Sequence, residues 1–208
     1  MSTESEIKFV VPDKSLFEKI LSLREIEGYC FIDKGITEIT DYYFDTPDMK
    51  LYYGKAVFRL RVTKEKSVLT FKTQKKKEGN VYRRNEIESE TAASVDDIIS
   101  GNIGENEALR AFRDCFCDVE ILNILKNENS RHIILLSRND IPNYEMALDS
   151  VTFTGPGGKA NIFELEIETL TGNHEDIESI GDWLKGRFFL EHAGPSKYLH
   201  GMRLVGGI

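Results

Sequence analysis

Glu4, Glu6 and Lys8 alternate along the segment ESEIK, which runs directly into the apolar FVV. In an extended strand side chains alternate between faces, so these charges point one way while Ile7, Phe9 and Val11 point the other. The same alternation returns on four later segments. Arg59 and Arg61 share a face of VFRLRV, and Thr70, Lys72 and Gln74 share one of SVLTFKTQ. Arg84, Glu86, Glu88 and Glu90 share a face of RRNEIESE, and Glu164, Glu166 and Glu168 share one of IFELEIET. Carboxylates and cations set out in rows on several strands can hold metal ions and a polyanion together. Hard divalent ions take oxygen ligands and bridge carboxylates to phosphates. Guanidinium forks match phosphate oxygens, and lysines add mobile point charge.

An ordinary sheet is the plainer account of this pattern, with its apolar side against helices and its charged side in water. Two features pull away from it. A row such as ELEIE sets like charges on successive same-face positions, which repel unless cations intervene. Glutamate is also a poor strand former, so three in alternation ask for a reason. A sheet closed with its charged face inward would gather carboxylates, arginines and lysines in a shielded interior. Such a lumen would bind a polyphosphate chelated to Mg2+ or Mn2+.

The elements that must position these rows follow from periodicity. Strands are expected at 5–11, 36–45, 56–64, 67–74, 80–90, 117–126, 131–138, 144–153 and 160–169. Asp13 is expected to cap a helix over DKSLFEKILSLREI, with Leu16, Ile20 and Leu23 at helical spacing. TPDMKLYYG reads as a Pro-started helical turn closed by Gly54. Ser94 opens a short helix, ENEALRAFRDCF forms another, and further helices lie near 175–186 and 196–204. Lys64–Ser67 and Lys75–Gly79 read as hairpin loops and GPGG at 155–158 as a turn, which makes neighbouring strands antiparallel. The result is an α+β protein, mainly antiparallel sheet. Its strand count suits a closed barrel or a strongly bent open sheet.

A chain of 208 residues, 40% hydrophobic and 30% charged, can bury a sizeable core and fits a globular protein. No apolar run approaches the roughly 20 residues of a membrane span. MSTESEIK lacks the basic and apolar regions of a secretory signal, so a cytoplasmic protein is expected. Cys30, Cys115 and Cys117 are odd in number and lack CxxC pairing, which reads as buried or idle thiols in a reducing compartment. A net charge of −8 argues against a general nucleic-acid binder, but local cations can still hold a small anion. The lysines at 75–77, beside EGN, read as a solvated loop. His132, His174, His192 and His200 are scattered, and no Ser–His or Cys–His arrangement is evident.

ESEIK resembles the ExExK signature of the CYTH superfamily, also called triphosphate tunnel metalloenzymes. The order and spacing of later segments carry the likeness along residues 4–198: YYFDTPDMKL, RLR, LTFK, the ExE within RNEIE, ALDSV, FELEIE and PSKYL. The resemblance implies one domain over 1–208, an antiparallel eight-stranded closed β-barrel with flanking helices, its lumen lined by charge. It implies Glu4, Glu6, Glu86, Glu88, Asp149, Glu164 and Glu166 as metal-site carboxylates for Mg2+ or Mn2+. Lys8, Arg59, Arg61 and Lys72 would be the catalytic and substrate-binding cations, joined by Arg84, Arg131 and Lys197 in substrate binding. The chain departs from the family's KxR or TxR segment: ILKNENSRHIILL offers Arg131, with Lys126 and Arg138 as rivals and a surface arginine as the plainer reading.

Three activities remain open at this stage. The first is metal-dependent hydrolysis of a triphosphate, inorganic or organic (thiamine triphosphate, for example). The second is a class IV-type adenylyl cyclase making cyclic AMP and pyrophosphate, although no adenine pocket is recognisable. The third is a non-catalytic polyphosphate- or nucleotide-binding module, which would keep Arg59, Arg61 and Lys72 without needing the acidic pairs. The expected partner is a small anionic triphosphate, with no nucleic acid and no membrane, bound by a monomer or homodimer.

Overall fold

A computed structural model describes residues 6–74, 84–117, 119–194 and 196–206, the side chains of residues 74, 84 and 85 excepted. The chain begins with β1 (Glu6–Val11), α1 (Ser15–Leu21), β2 (Glu25–Ile26), β3 (Tyr29–Asp45) and α2 (Lys50–Tyr53). It continues through β4 (Val57–Val62), β5 (Ser67–Gln74), β6 (Arg84–Glu90), α3 (Val95–Ser100) and α4 (Glu107–Phe116). It ends with β7 (Leu122–Arg138), β8 (Ile141–Gly155), β9 (Gly158–Thr169), α5 (His174–Phe188), β10 (Glu191–His192) and α6 (Lys197–Val205). Glu4, the lysines at 75–77, the loop expected at Lys75–Gly79 and the first residues of the strand expected at 80–90 lie outside the described residues.

The α+β class holds, but the expected eight-stranded closed barrel is corrected. Ten strands are hydrogen-bonded in the order β10-β1-β9-β8-β7-β3-β4-β5-β6, with β2 beside β3. Among the described residues no pairing joins β6 to β10. The pairs β1–β10, β1–β9, β2–β3, β3–β4, β4–β5 and β5–β6 are antiparallel.

The change in strand count has local causes. The helix expected over 13–26 stops at Leu21, and Glu25–Ile26 turns back on β3 as a hairpin, Ile26 opposite Tyr29. Glu27 and Gly28, the two turn residues, both have positive φ (49° and 76°), as such tight hairpins require. Asp13 acts one step before the helix: its Oδ1 accepts from the Ser15 N–H at 2.8 Å and from the Ser15 hydroxyl at 2.5 Å. The strands expected at 117–126 and 131–138 are one continuous β7, because the polar run NENS bonds sideways instead of turning. The Ser94 helix forms as expected, closed by a capping box with Asp97.

The chain divides into two compact units, and β3, β7, β8 and β9 contribute residues to both. The first comprises Met1–Glu38, Asn129–Thr152 and Asn161–Ser196. Its core joins Phe9 and Val11 of β1 to Leu16, Phe17 and Ile20 of α1, Tyr144, Met146 and Leu148 of β8, and Ile177, Ile180 and Leu184 of α5. The second comprises Ile39–Glu128, Phe153–Ala160 and Lys197–Ile208. There Phe58 of β4 stacks on Phe112 of α4 at 4.6 Å between ring centroids, with Leu60, Leu69, Phe71, Ile98 and Leu109 around them. Gly201 lets α6 approach closely: a Cβ there would lie 2.7 Å from Phe153 and 2.8 Å from Leu125. Among the described residues no helix is long and apolar enough to cross a membrane. Cys30, Cys115 and Cys117 are free and exposed, which excludes the buried alternative of the buried-or-idle reading.

Candidate functional site

Core packing decides which way the charged rows point. In β9, Leu165 and Ile167 are buried in the first unit's core, so Glu164, Glu166 and Glu168 take the opposite face. Phe9 and Val11 fix β1 in the same way and set Lys8 directly across from Glu166, with Glu6 across from Glu168. In β4, burial of Phe58 and Leu60 sends Arg59 and Arg61 to the face away from that unit's core.

In the first unit Lys8 and Arg131 knit the carboxylates together. Lys8 Nζ lies 3.1 Å from Glu6 and 3.0 Å from Glu166. Arg131 donates from Nε and Nη2 to the two oxygens of Asp149, at 2.8 and 2.6 Å, and Nη2 also donates to Glu166 Oε2. Asn129 Nδ2 donates to Asp149 Oδ1 at 2.9 Å. Asp149 is 0% exposed, Glu164 1% and Glu166 9%. Burial disfavours the Arg131 charge, but the hydrogen bond and charge of Asp149, with Glu166 behind them, raise its pKa overall.

In the second unit the cations gather on Asp41 of β3, which is 3% exposed. Arg61 grips Asp41 with both arms of its fork, Nε to Oδ1 at 2.7 Å and Nη2 to Oδ2 at 2.9 Å. Arg59 lies 3.8 Å from the same carboxylate and 3.6 Å from Glu88, and donates to the Thr70 hydroxyl at 3.3 Å. That hydroxyl donates onward to Glu88 at 2.9 Å. Lys72 Nζ is 2.5 Å from Glu86. Partial burial works to raise the Glu86 pKa, but Lys72 outweighs it and holds the carboxyl below its ordinary value.

The remaining expected residues are placed as follows. Arg84 stands opposite Gln74 in the β5–β6 register. Lys197 opens α6 and is followed by Tyr198, whose ring stacks on Tyr43 at 4.9 Å. Arg131 enters the carboxylate network, whereas its rivals do not: Lys126 pairs with Glu128 at 2.7 Å, and Arg138 lies 3.9 Å over the Tyr29 ring. Among the described residues no three His, Cys, Asp or Glu side chains are gathered to hold a metal ion. Glu4 lies outside them.

Asp41 and Asn129 are members of these networks that sequence reasoning missed. Asp41 is revealed by its cross-strand place, directly opposite Arg61, which the sequence does not encode. The aspartate of the DTP segment is structural: Asp45 Oδ1 accepts from the Thr46 and Leu51 N–H groups at 2.7 and 2.8 Å, and Oδ2 from Tyr52 at 2.8 Å. These bonds tie down the otherwise unsatisfied amides at the start of α2.

The burial of these carboxylates separates the two accounts of the alternating rows. Charges on a plain sheet face stand in water, whereas Asp41, Asp149, Glu164 and Glu166 are all shielded from it. The networks thus offer hard oxygen donors and forked cations in shielded surroundings.

Solved structures share this architecture. A Bacillus halodurans protein described as a candidate adenylate cyclase aligns with a TM-score of 0.63 at 18% identity, over 96% of both chains. A Hippeastrum protein described as a candidate adenylyl cyclase with a dominant triphosphatase activity aligns with a TM-score of 0.62 at 20% identity, over 97% of this chain and 96% of its own. A Pyrococcus horikoshii protein aligns with a TM-score of 0.52 at 22% identity, over 95% of this chain and 96% of its own. At such identities the likeness speaks for the fold. No curated protein sequence matches the chain. Residues 2–188 match the CYTH domain, and the chain belongs to the CYTH family.

Proposed function

We propose that this protein hydrolyses a triphosphate with the help of Mg2+ or Mn2+, acting as a single catalytic domain over residues 1–208. The observation that carries the reading is the shielding of Asp149, Glu164 and Glu166, with Lys8 and Arg131 bonded to two of them, Asp149 and Glu166. Buried charges are costly unless paired, so retaining this many favours a use beyond folding. The triphosphatase activity described for the Hippeastrum relative supports the same choice.

The donor set fits a hard divalent ion. Its ligands are all carboxylate oxygens, and the β1–β9 register sets Glu6 directly opposite Glu168, with Lys8 paired to Glu6. Glu164 and Glu166 would hold such an ion, with Glu6, Asp149, Glu86, Glu88 and Glu4 as the remaining candidates. When bound, it would neutralise phosphate charge and lower the pKa of a water.

The protein's own cations do the rest. Phosphoryl transfer asks chiefly for positioning and charge compensation. Arg59 and Arg61 would take phosphate oxygens with forked hydrogen bonds, and Lys72, Lys8, Arg84 and Lys197 would add charge. Asp41 keeps the Arg61 guanidinium in one orientation, and Asp149 does so for Arg131. The three free, exposed cysteines fit a cytoplasmic setting.

The adenylyl cyclase reading stays in play through the descriptions of both relatives. One assay separates the possibilities: tripolyphosphate, pyrophosphate, ATP and thiamine triphosphate, each with Mg2+ and Mn2+, followed for phosphate and for cyclic AMP. Phosphate release from tripolyphosphate, abolished by EDTA, is the expected result. Cyclic AMP from ATP would transfer the site to the cyclase, and binding without any turnover would leave only a binding module.

A further inference from the structure

Asn129 stands within the carboxylate-rich network, yet the hydrolytic reading gives it no task. The residue is 5% exposed, and its Nδ2 donates to the same Asp149 oxygen that accepts from Arg131 Nε. That bond fixes the amide, since only the nitrogen end can donate to a carboxylate. The other end, Oδ1, is buried and has no hydrogen-bond partner within the protein. A buried acceptor of this kind is destabilising until something donates to it.

The surroundings narrow what that donor is. Among the described residues Lys8 and Arg131 are paired with three carboxylates, Glu6, Asp149 and Glu166, and Glu168 stands directly opposite Glu6. A phosphate oxygen would only accept, and would add negative charge to an already acidic place. A small divalent cation answers both needs: it offsets the charge and keeps several waters whose O–H groups are strengthened donors. We infer that Asn129 Oδ1 accepts a hydrogen bond from a water in the hydration shell of the divalent cation, which makes Asn129 a positioning residue for that shell. The inference rests on the metal-dependent reading above. The water concerned either fills the shell or is the one that attacks phosphorus, and the two differ in what they move.

The test compares wild type with Asn129→Leu, of similar volume but unable to accept, and with Asn129→Asp, which still accepts. Mn2+ affinity is measured by calorimetry without substrate, the Tm without metal, and kcat and KM on tripolyphosphate. Asn129→Leu is expected to weaken Mn2+ binding about 10-fold, while its metal-free Tm falls because the Nδ2 donor to the buried Asp149 is lost together with the unpartnered acceptor. A wild-type Mn2+ affinity with a roughly 10-fold fall in kcat at constant KM supports the assignment and identifies the attacking water. Asn129→Asp, with a second carboxylate against Asp149, is expected to bind Mn2+ at least as tightly as wild type and to gain more Tm from it. Unchanged Mn2+ affinity and unchanged kinetics in Asn129→Leu overturn the inference. Should Asn129→Leu not fold, Mn2+ binding by Asn129→Asp weaker than wild type overturns it. Wild type that binds Mn2+ but leaves tripolyphosphate intact sinks the hydrolytic reading alone, and the affinity comparison still decides Asn129. Wild type that binds no Mn2+ sinks both.

Discussion

In the unit built on β1 and β9, three carboxylates are almost wholly shielded, Asp149, Glu164 and Glu166, and among the described residues Lys8 reaches Glu166 while Arg131 reaches both Asp149 and Glu166. In the unit built on β4, β5 and β6, Arg59 and Arg61 share one shielded carboxylate, Asp41, while Glu86 and Glu88 are exposed. The difference lies in the balance of charge: shielded carboxylates predominate in the first unit, whereas in the second two guanidinium groups share one shielded carboxylate. Shielded carboxylates raise the local demand for cations, and shielded guanidinium groups raise the demand for oxyanions. We therefore read the first network as suited to metal and the second as suited to phosphate. The two can be perturbed separately, and each perturbation tests that division.

The sharpest test removes the negative charge of the first network at constant shape. Glu164→Gln with Glu166→Gln is expected to lower kcat by roughly 10²- to 10³-fold, the range for loss of a preorganised electrostatic group. Its far-ultraviolet circular dichroism should stay that of wild type. Turnover at the wild-type level would erase the distinction between the networks. Stability should separate them next. Arg131→Ala strips Asp149, which is 0% exposed, of two hydrogen bonds and leaves a buried charge short of its partner. The expected loss is about 3–5 kcal/mol in urea unfolding. Arg61→Ala should lose less, about 1.5–3 kcal/mol, because that side chain is 37% exposed and Arg59 remains near Asp41. Equal losses would show that burial does not distinguish the two.

That contrast was partly legible in the sequence. The two-residue period of a strand made the faces of β1, β4, β5 and β9 readable, since Phe58 and Leu60 force Arg59 and Arg61 outward wherever the strand ends up. Cross-strand partners are not encoded that way. Asp41 lies in ITEITDYYFD, where Glu38 is three positions away and no alternating row forms, so only its pairing with Arg61 reveals it. The run NENS carried turn composition and hid the continuity of β7. Once β7 is one strand, parity separates the basic candidates: Arg131 shares a face with Asn129, while Lys126 and Arg138 fall on the other. The short strands β2 and β10 have two residues each, too few for any periodic signal.

Substrate affinity gives a smaller but cleaner probe of the second network. Arg59→Ala is expected to raise KM for tripolyphosphate roughly 10-fold through loss of charge-assisted hydrogen bonds. Lys72→Ala should fall short of that, because an ammonium offers no fork. An unchanged kcat and KM in Arg59→Ala would remove Arg59 from the site. A loss of Mn2+ affinity in the same variant would mean that the networks do not divide the labour.

The smallest expected effect is the pH dependence that Tyr43 brings to the second unit. Burial first, then the neighbouring Asp41 carboxylate, pushes the Tyr43 phenol up to about 12. An unfolded tyrosine ionises near about 10. Below that pH both states keep the proton and Tyr43 contributes no pH dependence. Between about pH 10 and 12 the unfolded chain releases the proton while the folded one retains it, so stability falls as pH rises through this window. Tyr43→Phe should flatten that part of the profile, and its difference spectrum should lack a tyrosinate titrating near 12. Asp41→Asn should bring the titration back down, since it removes the negative charge while keeping the shape. A Tyr43 titration that ignored Asp41→Asn would mean that desolvation alone sets it, and that the Asp41 charge is already fully answered by Arg59 and Arg61.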